Sequence, residues 1–180
     1  RVVMLMAGGK LRVAFATTHI AIKDVPQSIT PEGILGTITI CNEGLKQYYG
    51  LKRPRIAVCG LNPHAGEEGI FGDEERKVIV PAIEKARKKG IHCDGPVSAD
   101  TVFYKALKGA HDLVIAMYHD QGAIPLKLHA FETGVNITLG IPFVRTSPDH
   151  GTAYDIAGKG IADPRSMMEA IKTAVKMAEV

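Results

Sequence analysis

The sequence contains no tryptophan, and its five tyrosines and five phenylalanines make up only 6% of 180 residues. The core must therefore be built from aliphatic side chains. Cysteine is almost as scarce. Cys41, Cys59 and Cys93 are odd in number and far apart, which excludes a disulfide scaffold and the paired spacing of a zinc finger. A reducing, cytoplasmic setting is the default for such usage. No apolar stretch approaches the ~20 residues that a membrane-spanning helix requires. The opening run Val2–Ala7 stops at Gly8-Gly9-Lys10, so it reads as strand and turn, not as a signal peptide. Nor is charge of one sign in excess: 22 Lys and Arg against 19 Asp and Glu give a net charge of +3. The densest basic run, Lys85–Lys89, falls in a helical segment and reads as a solvated face, so neither a nucleic acid nor a membrane is expected as partner. Internal repeats, low-complexity segments and a GxGxxG fingerprint are missing as well.

What is present is a globular balance, 46% hydrophobic and 23% charged. Residues 2–6 and 11–16 read as strands joined by the glycine turn. Thr30-Pro31-Glu32 sets out an N-cap, an N1 proline and an early acid, predicting a helix from about 31 to 48 that stops at Gly50. Arg55–Cys59 reads as a buried strand. Asp73 opens a helix that runs to Lys89 with a kink at Pro81, and Ser98 opens a short one through Leu107. Leu113–Met117 is a strand buried on both faces; Gly134–Leu139 and Pro142–Arg145 are the last strands. Asp163-Pro164 begins a terminal helix with an apolar stripe of Met167, Met168, Ile171, Val175 and Ala178. Alternating strands and helices imply an α/β fold with a mostly parallel sheet. The early hairpin breaks the alternation and suggests a smaller second lobe.

Three histidines stand where strands end: His19 after Ala16-Thr17-Thr18, His64 after Asn62-Pro63, and His119 after the strand ending at Met117. Three neutral imidazoles with an open position suit Zn²⁺ or a similar ion, although any one of them taken alone reads better as a capping or core histidine. His92, His111 and His129 keep that plain reading. The small-residue stretch Asp149–Gly160 lets backbone approach a ligand, and Asp155 within it can accept hydrogen bonds from a ribose diol; a tight turn before a helix is the simpler alternative. Arg145, followed by Thr146-Ser147, suits a carboxylate or phosphate. Lys127 and Asn136 are the other basic or amide-bearing candidates, although a lone amide in a strand-like run, as at Asn136, is more often just paired to the backbone. Asp100 either orients a histidine or handles a proton, or is simply an acid at a helix start.

Taken together, Ala16–His19, Gly60–Glu67, Ala116–Gly122 and Val135–Gly140, continued by Arg145–Ser147 and Asp149–Ala153, resemble the 4-hydroxythreonine-4-phosphate dehydrogenase family in order and over essentially the whole chain. Residues 155–164 also resemble the adenosine-binding loop of the isopropylmalate and isocitrate dehydrogenases, which share that superfamily fold. The resemblance implies an isopropylmalate-dehydrogenase-like α/β fold with a smaller dimerisation lobe. Approximately 1–120 would form the metal and dimerisation lobe and approximately 121–180 the return to the nucleotide-binding lobe. Family members carry a further segment ahead of the part matched here, so the N-terminal part of the usual fold is expected to be absent.

The same resemblance implies roles by position. His19, His64 and His119 would hold a divalent metal (Zn, Mg or Co) at a homodimer interface, with His19 given by the neighbouring subunit. Lys127, Asn136 and Arg145 would contact substrate, and Asp100, Asp120 and Lys127 would assist the chemistry. Asp155, with Gly151 and Thr152, would bind the cofactor, and an acid at 155 favours NAD over NADP. The implied reaction oxidises 4-phosphooxy-threonine to a 2-amino-3-oxo acid that loses CO₂, on the route to pyridoxal phosphate. Two other readings are an erythronate or threonate 4-phosphate dehydrogenase and a truncated, non-catalytic metal-binding dimerisation module. A metal-dependent hydrolase or lyase is disfavoured by the Asp155 loop, because hydrolysis needs no dinucleotide.

Overall fold

A computed structural model of the chain describes residues 1–179. In chain order the elements are β1 (Val3–Gly8), β2 (Leu11–Phe15), α1 (Val25–Ser28), α2 (Pro31–Tyr49), β3 (Ile56–Cys59), α3 (Val80–Lys88), β4 (Cys93–Val97), α4 (Ala99–Leu107), β5 (Leu113–Ala116), α5 (His119–Ala130), β6 (Val135–Leu139), β7 (Thr146–Pro148) and α6 (Arg165–Ala178). The strands form one seven-stranded sheet in the order β4-β3-β5-β2-β1-β6-β7. β4, β3, β5 and β2 run parallel, β1 is antiparallel to both β2 and β6, and β7 is antiparallel to β6. Five strands therefore point one way and two the other. The early hairpin supplies two of the sheet's inner strands.

Layering follows from which residues each helix buries. Ile34, Ile38, Cys41 and Leu45 of α2 recur at helical spacing and join Ala82, Ile83 and Ala86 of α3 and Ala170 and Met177 of α6 on one face. Val102, Phe103 and Ala106 of α4 meet Ala123 and Leu126 of α5 on the other. β3 and β5 are buried along their whole length, as expected for strands covered on both sides. The cysteines are all buried and free. Burial pushes the thiols of Cys59 and Cys93 up to about 12 and that of Cys41 higher still, so none is a nucleophile near neutral pH.

The helix-start signals act as expected at α2. The Thr30 side chain accepts the Gly33 amide at 3.0 Å, Pro31 occupies the first turn, and Gly50 ends the helix with φ 64°. Elsewhere the structure differs from the sequence reading. The helix expected from Asp73 starts with a π-helical turn over Glu75–Ile79 before α3, because Pro81 has no N–H to continue the ordinary register. The strand expected at Pro142–Arg145 lies instead at Thr146–Pro148. The stripe of α6 faces outward: Met167, Met168, Ile171 and Val175 are 46–58% exposed, while Ser166, Ala170 and Met177 face the sheet. Finally, α5 occupies a stretch to which the sequence reading assigned no element.

Candidate functional site

The parallel strands β2, β3 and β5 place their carboxyl ends along one edge of the sheet, where α/β folds build ligand sites. Each of the three histidines follows one of these ends. His19 is held through the Ala16 and Thr17 amides, which bond to Ala116 and Met117 carbonyls at 2.8 and 3.2 Å. Thr17 Oγ1 adds a bond to the Met117 carbonyl at 2.7 Å. His119 opens α5, and its ring stacks on Phe15 with centroids 5.9 Å apart. The rings of His19 and His119 lie 5.3 Å apart, and Asp120 Oδ1 sits 2.7 Å from His119 Nδ1. That carboxylate selects the tautomer that leaves Nε2 free as an acceptor, the usual arrangement behind a metal-bound imidazole.

His64 stands apart from this pair. It lines a separate cavity of about 280 Å³ with Asn62, Asp100, Tyr118 and Gln121. Its loop is conformationally unusual: His64, Ala65, Gly66, Glu67 and Glu68 all have positive φ, between 42° and 80°. Left-handed backbone costs roughly 1–2 kcal/mol for each residue that carries a Cβ, so surrounding contacts must hold the turn. Gln121, given no role in the sequence reading, is one such contact. It accepts the Met117 amide at 2.7 Å and donates to the Gly60 carbonyl at 2.8 Å. It thereby ties the ends of β3 and β5, and so the His64 and His119 segments, together.

The donor chemistry of His19 and His119 fits a divalent ion. Among the described residues no group of three His, Cys, Asp or Glu side chains is gathered closely enough to form a metal cage. One chain thus presents two imidazoles in one place and the third elsewhere. His92 is exposed, and His111 is packed beside Asp94 with its Nδ1 3.7 Å from the carboxylate.

The substrate candidates share a face. Asn136 pairs with Ser147 and with Met6, and Met6 belongs to the cluster that α5 covers. Thr138 and Arg145 are bonded across β6 at 3.0 Å, so strand alternation puts Asn136, Thr138, Arg145, Ser147 and Asp149 on the α5 side. Arg145 is exposed and donates to Thr138 Oγ1 at 2.6 Å. Lys127 extends from α5, donates to the Asp149 carbonyl at 3.1 Å, and lies 3.8 Å from Asp149 Oδ2. With His119 and Asp120 it lines an open cavity of about 380 Å³. Asp100 starts α4 and accepts from Ser98 Oγ at 2.6 Å. Asp155 sits in the short turn Tyr154–Ile156, exposed, after exposed Gly151 and Thr152. Ala153 and Ile156 of this loop border a cavity of about 310 Å³ that Phe131, Ala162 and the charged Glu132, Asp163 and Arg165 also line.

Asp149 opens the small-residue stretch and carries no signal of its own in the sequence. Its side chain is only 10% exposed, and Oδ2 has no hydrogen-bond partner, as is true of buried Asn136 Oδ1. Burial raises the carboxyl above its usual range, while Lys127, His119 and His150 pull it back. A raised folded-state value means that the folded chain binds more protons than the unfolded chain as pH climbs past the ordinary carboxylate range. Stability from this group is then present at low pH and lost as pH rises through the folded value. Asp149→Asn is therefore expected to stabilise the chain at pH 7.5, with the gain shrinking as pH falls. Urea unfolding at pH 7.5 and 5 measures it; an Asn variant less stable at pH 7.5 would show that the Lys127 pairing outweighs burial.

Comparison with known proteins finds relatives over essentially the whole chain. A family model described as "Pyridoxal phosphate biosynthetic protein PdxA" matches residues 1–174. A 4-hydroxythreonine-4-phosphate dehydrogenase of Geobacter metallireducens is 56% identical over 180 residues, all of this chain and 53% of that protein. A proposed D-threonate 4-phosphate dehydrogenase of Oceanobacillus iheyensis is 51% identical over 176 residues, 97% of this chain and 53% of the relative. The crystal structure of a 4-hydroxythreonine-4-phosphate dehydrogenase from Klebsiella pneumoniae superposes with a TM-score of 0.92 at 47% identity, covering 99% of this chain and 54% of that one. The chain spans about half the length of the curated relatives it matches.

Proposed function

We propose, for a chain that belongs to the PdxA family of pyridoxal phosphate biosynthetic proteins, that it forms part of an NAD-dependent, metal-assisted dehydrogenase. The substrate in this reading is 4-phosphooxy-threonine, oxidised to a 2-amino-3-oxo acid that then loses CO₂. The observation that carries the reading is the His19–His119 pair, rings 5.3 Å apart, with Asp120 on His119 Nδ1. It stands at the strand ends beside the cavity that Lys127 lines.

The divalent ion (Zn, Mg or Co), when bound, supplies Lewis-acid polarisation of substrate oxygens, and NAD supplies the hydride acceptor. The protein's part is orientation and charge. Lys127 and Arg145 present cations to the phosphate and carboxylate ends, and Asn136 offers an amide from the same sheet face. Asp120 holds the His119 ring in one tautomer. Asp100 shares the His64 cavity and is placed to exchange a proton with a hydroxyl held there. Asp155, with the Gly151-Thr152 backbone, takes the ribose of NAD.

His64 completes the ligand set when a second copy in a homodimer presents its loop to the His19–His119 pair. The resemblance implied that His19 comes from the neighbouring subunit; because His19 and His119 lie together within one chain, the ligand proposed here to arrive across the interface is His64 instead. In this reading approximately 1–120 carry the metal ligands and approximately 121–180 the substrate contacts, with both stretches contributing strands to the one seven-stranded sheet. No described helix is long and apolar enough to cross a membrane, and the cytoplasm is the setting we propose. A threonate 4-phosphate is the second substrate to test, on the strength of the Oceanobacillus relative.

NADH formation by the chain with 4-phosphooxy-threonine, NAD and Zn²⁺ or Mg²⁺ tests this function. Metal-dependent turnover that is lost in His64→Ala is the expected outcome. Turnover only with erythronate or threonate 4-phosphate would replace the substrate, and turnover that persists without any divalent ion would remove the metal from the mechanism.

A further inference from the structure

The left-handed turn that carries His64 is anchored from behind by a residue no motif drew attention to. Glu75, in the π-helical turn before α3, is only 6% exposed. Its Oε1 accepts the Leu61 amide at 2.7 Å and the Asn62 amide at 2.8 Å, and its Oε2 accepts Asn62 Nδ2 at 3.0 Å. Asn62 Nδ2 also reaches Glu74 Oε2 at 2.8 Å. Among the described residues no lysine, arginine or histidine lies within ion-pair distance of Glu75. A buried carboxylate is normally paired with a cation; this one is satisfied by the amides of the loop. The fit is close. A Cβ on Gly66 would stand 2.6 Å from Glu75 Oε2, and one on Gly60 would stand 2.7 Å from Ala65 Cα and 3.1 Å from Glu75 Oε1. Two glycines thus let the loop fold down onto the carboxylate, and the positive-φ run from His64 to Glu68 is the consequence of closing it there.

We propose that Glu75 is a positioning residue for His64: its buried carboxylate, bonded to the Leu61 and Asn62 amides, holds the strained left-handed turn in the one shape that presents the imidazole. The functional importance of His64 rests on the reading given above, but the positioning itself does not. Glutamine at 75 keeps the length and one acceptor oxygen yet turns an NH₂ toward Asn62 Nδ2, setting donor against donor.

The test is amide hydrogen exchange and the ring resonances of His64 in the 180-residue chain, wild type against Glu75→Gln. Protection at Leu61 and Asn62 should fall roughly tenfold or more, with the amides of β3 unchanged and the His64 ring signals moving to those of a mobile imidazole. Unaltered protection and ring signals would overturn the proposal. If Glu75→Gln fails to fold, the same substitution combined with Ala65→Gly and Glu67→Gly decides the matter, since glycine removes the strain at positive φ. Recovery of folding supports a role in holding the turn, and failure to recover makes Glu75 a general core requirement and sinks the idea. A His64→Ala chain with undiminished metal-dependent turnover would refute the functional reading while leaving the exchange result untouched.

Discussion

His119→Ala is expected to abolish the divalent-ion binding proposed for the chain, a loss well beyond the roughly 10–100-fold that follows removal of a group behind a metal ligand. The alanine removes the ring that faces His19 at 5.3 Å and stacks on Phe15, so His19 is left with no second imidazole beside it. Asp120→Asn keeps both rings and weakens only the control of the His119 tautomer; it should fall in the 10–100-fold range. His92→Ala, altering an exposed imidazole in a connection, should change nothing. Cobalt(II) titration followed by visible absorption ranks the three. Equal losses in His119→Ala and His92→Ala would mean that the ion binds imidazole nonspecifically, and an unaffected His119→Ala would dissociate the histidine pair from any metal. His64→Ala adds a further distinction. In a monomer it should leave affinity nearly intact, because His64 lines another cavity. A large effect confined to concentrations at which the chain self-associates would identify the partner copy as its donor.

Part of this site was legible in the sequence because the signals are local. Thr30, Pro31 and Gly50 act within one turn of themselves, and α2 begins and ends where they direct. The continuous apolar runs Ile56–Cys59 and Leu113–Ala116 specify buried strands without knowledge of their neighbours. Histidines and turn residues following such runs mark the strand ends, which is where chemistry is expected. What was not legible depends on partners distant in the chain. α5 has Pro125 in its middle and mixed polar and apolar residues around its circumference, so it offers no clean helical period; packing onto β2 and β1 overrides the propensity. The α6 stripe has a strong period, yet the face it marks is exposed here. Periodicity shows that a helix has an apolar side, not that this length of chain covers it. Glu75 resembles any surface glutamate in the sequence, since its amide partners at Leu61 and Asn62 are 14 and 13 residues away. Asp149 and Lys127, 22 residues apart, likewise meet only through the fold.

Gly122 is where two of these effects oppose each other, and magnitudes decide between them. Glycine inside a helix is disfavoured by about 1 kcal/mol relative to alanine, so on propensity alone Gly122→Ala in α5 should stabilise. A Cβ at that position, however, would lie 2.6 Å from Val13 Cγ1, 2.8 Å from Phe15 Cε1 and 2.9 Å from Ala116 Cβ, all far inside the ~3.5–4.0 Å separation of carbon atoms in contact. None of the three can give way cheaply. Val13 is β-branched and stiff at χ1, Phe15 is 3% exposed and holds the His119 ring, and Ala116 Cβ is bonded directly to the backbone of β5. The helix must lift from the sheet, and overpacking of this kind costs about 1–3 kcal/mol. At the other end of α5 the same constraint recurs, where a Cβ on Gly8 would approach Ala130 Cβ at 2.5 Å. The helix is pinned at both ends and cannot tilt out of the way. Steric cost therefore wins: Gly122→Ala should lower stability by about 1–2 kcal/mol and Gly122→Val by about 3 kcal/mol or more, with Tm falling by roughly 2–4 °C per kcal/mol. Gly151→Ala, with nothing within 4 Å of the added methyl, is the control and should be neutral. Because Gly122 lies one turn after His119, lifting α5 should also unstack the imidazole from Phe15, visible as a shift of its ring resonances at temperatures where the variant is still folded. A rise in Tm for Gly122→Ala would mean that α5 rides higher on the sheet than this packing allows, and the positions of His119 and Lys127 over the sheet would have to be revised with it.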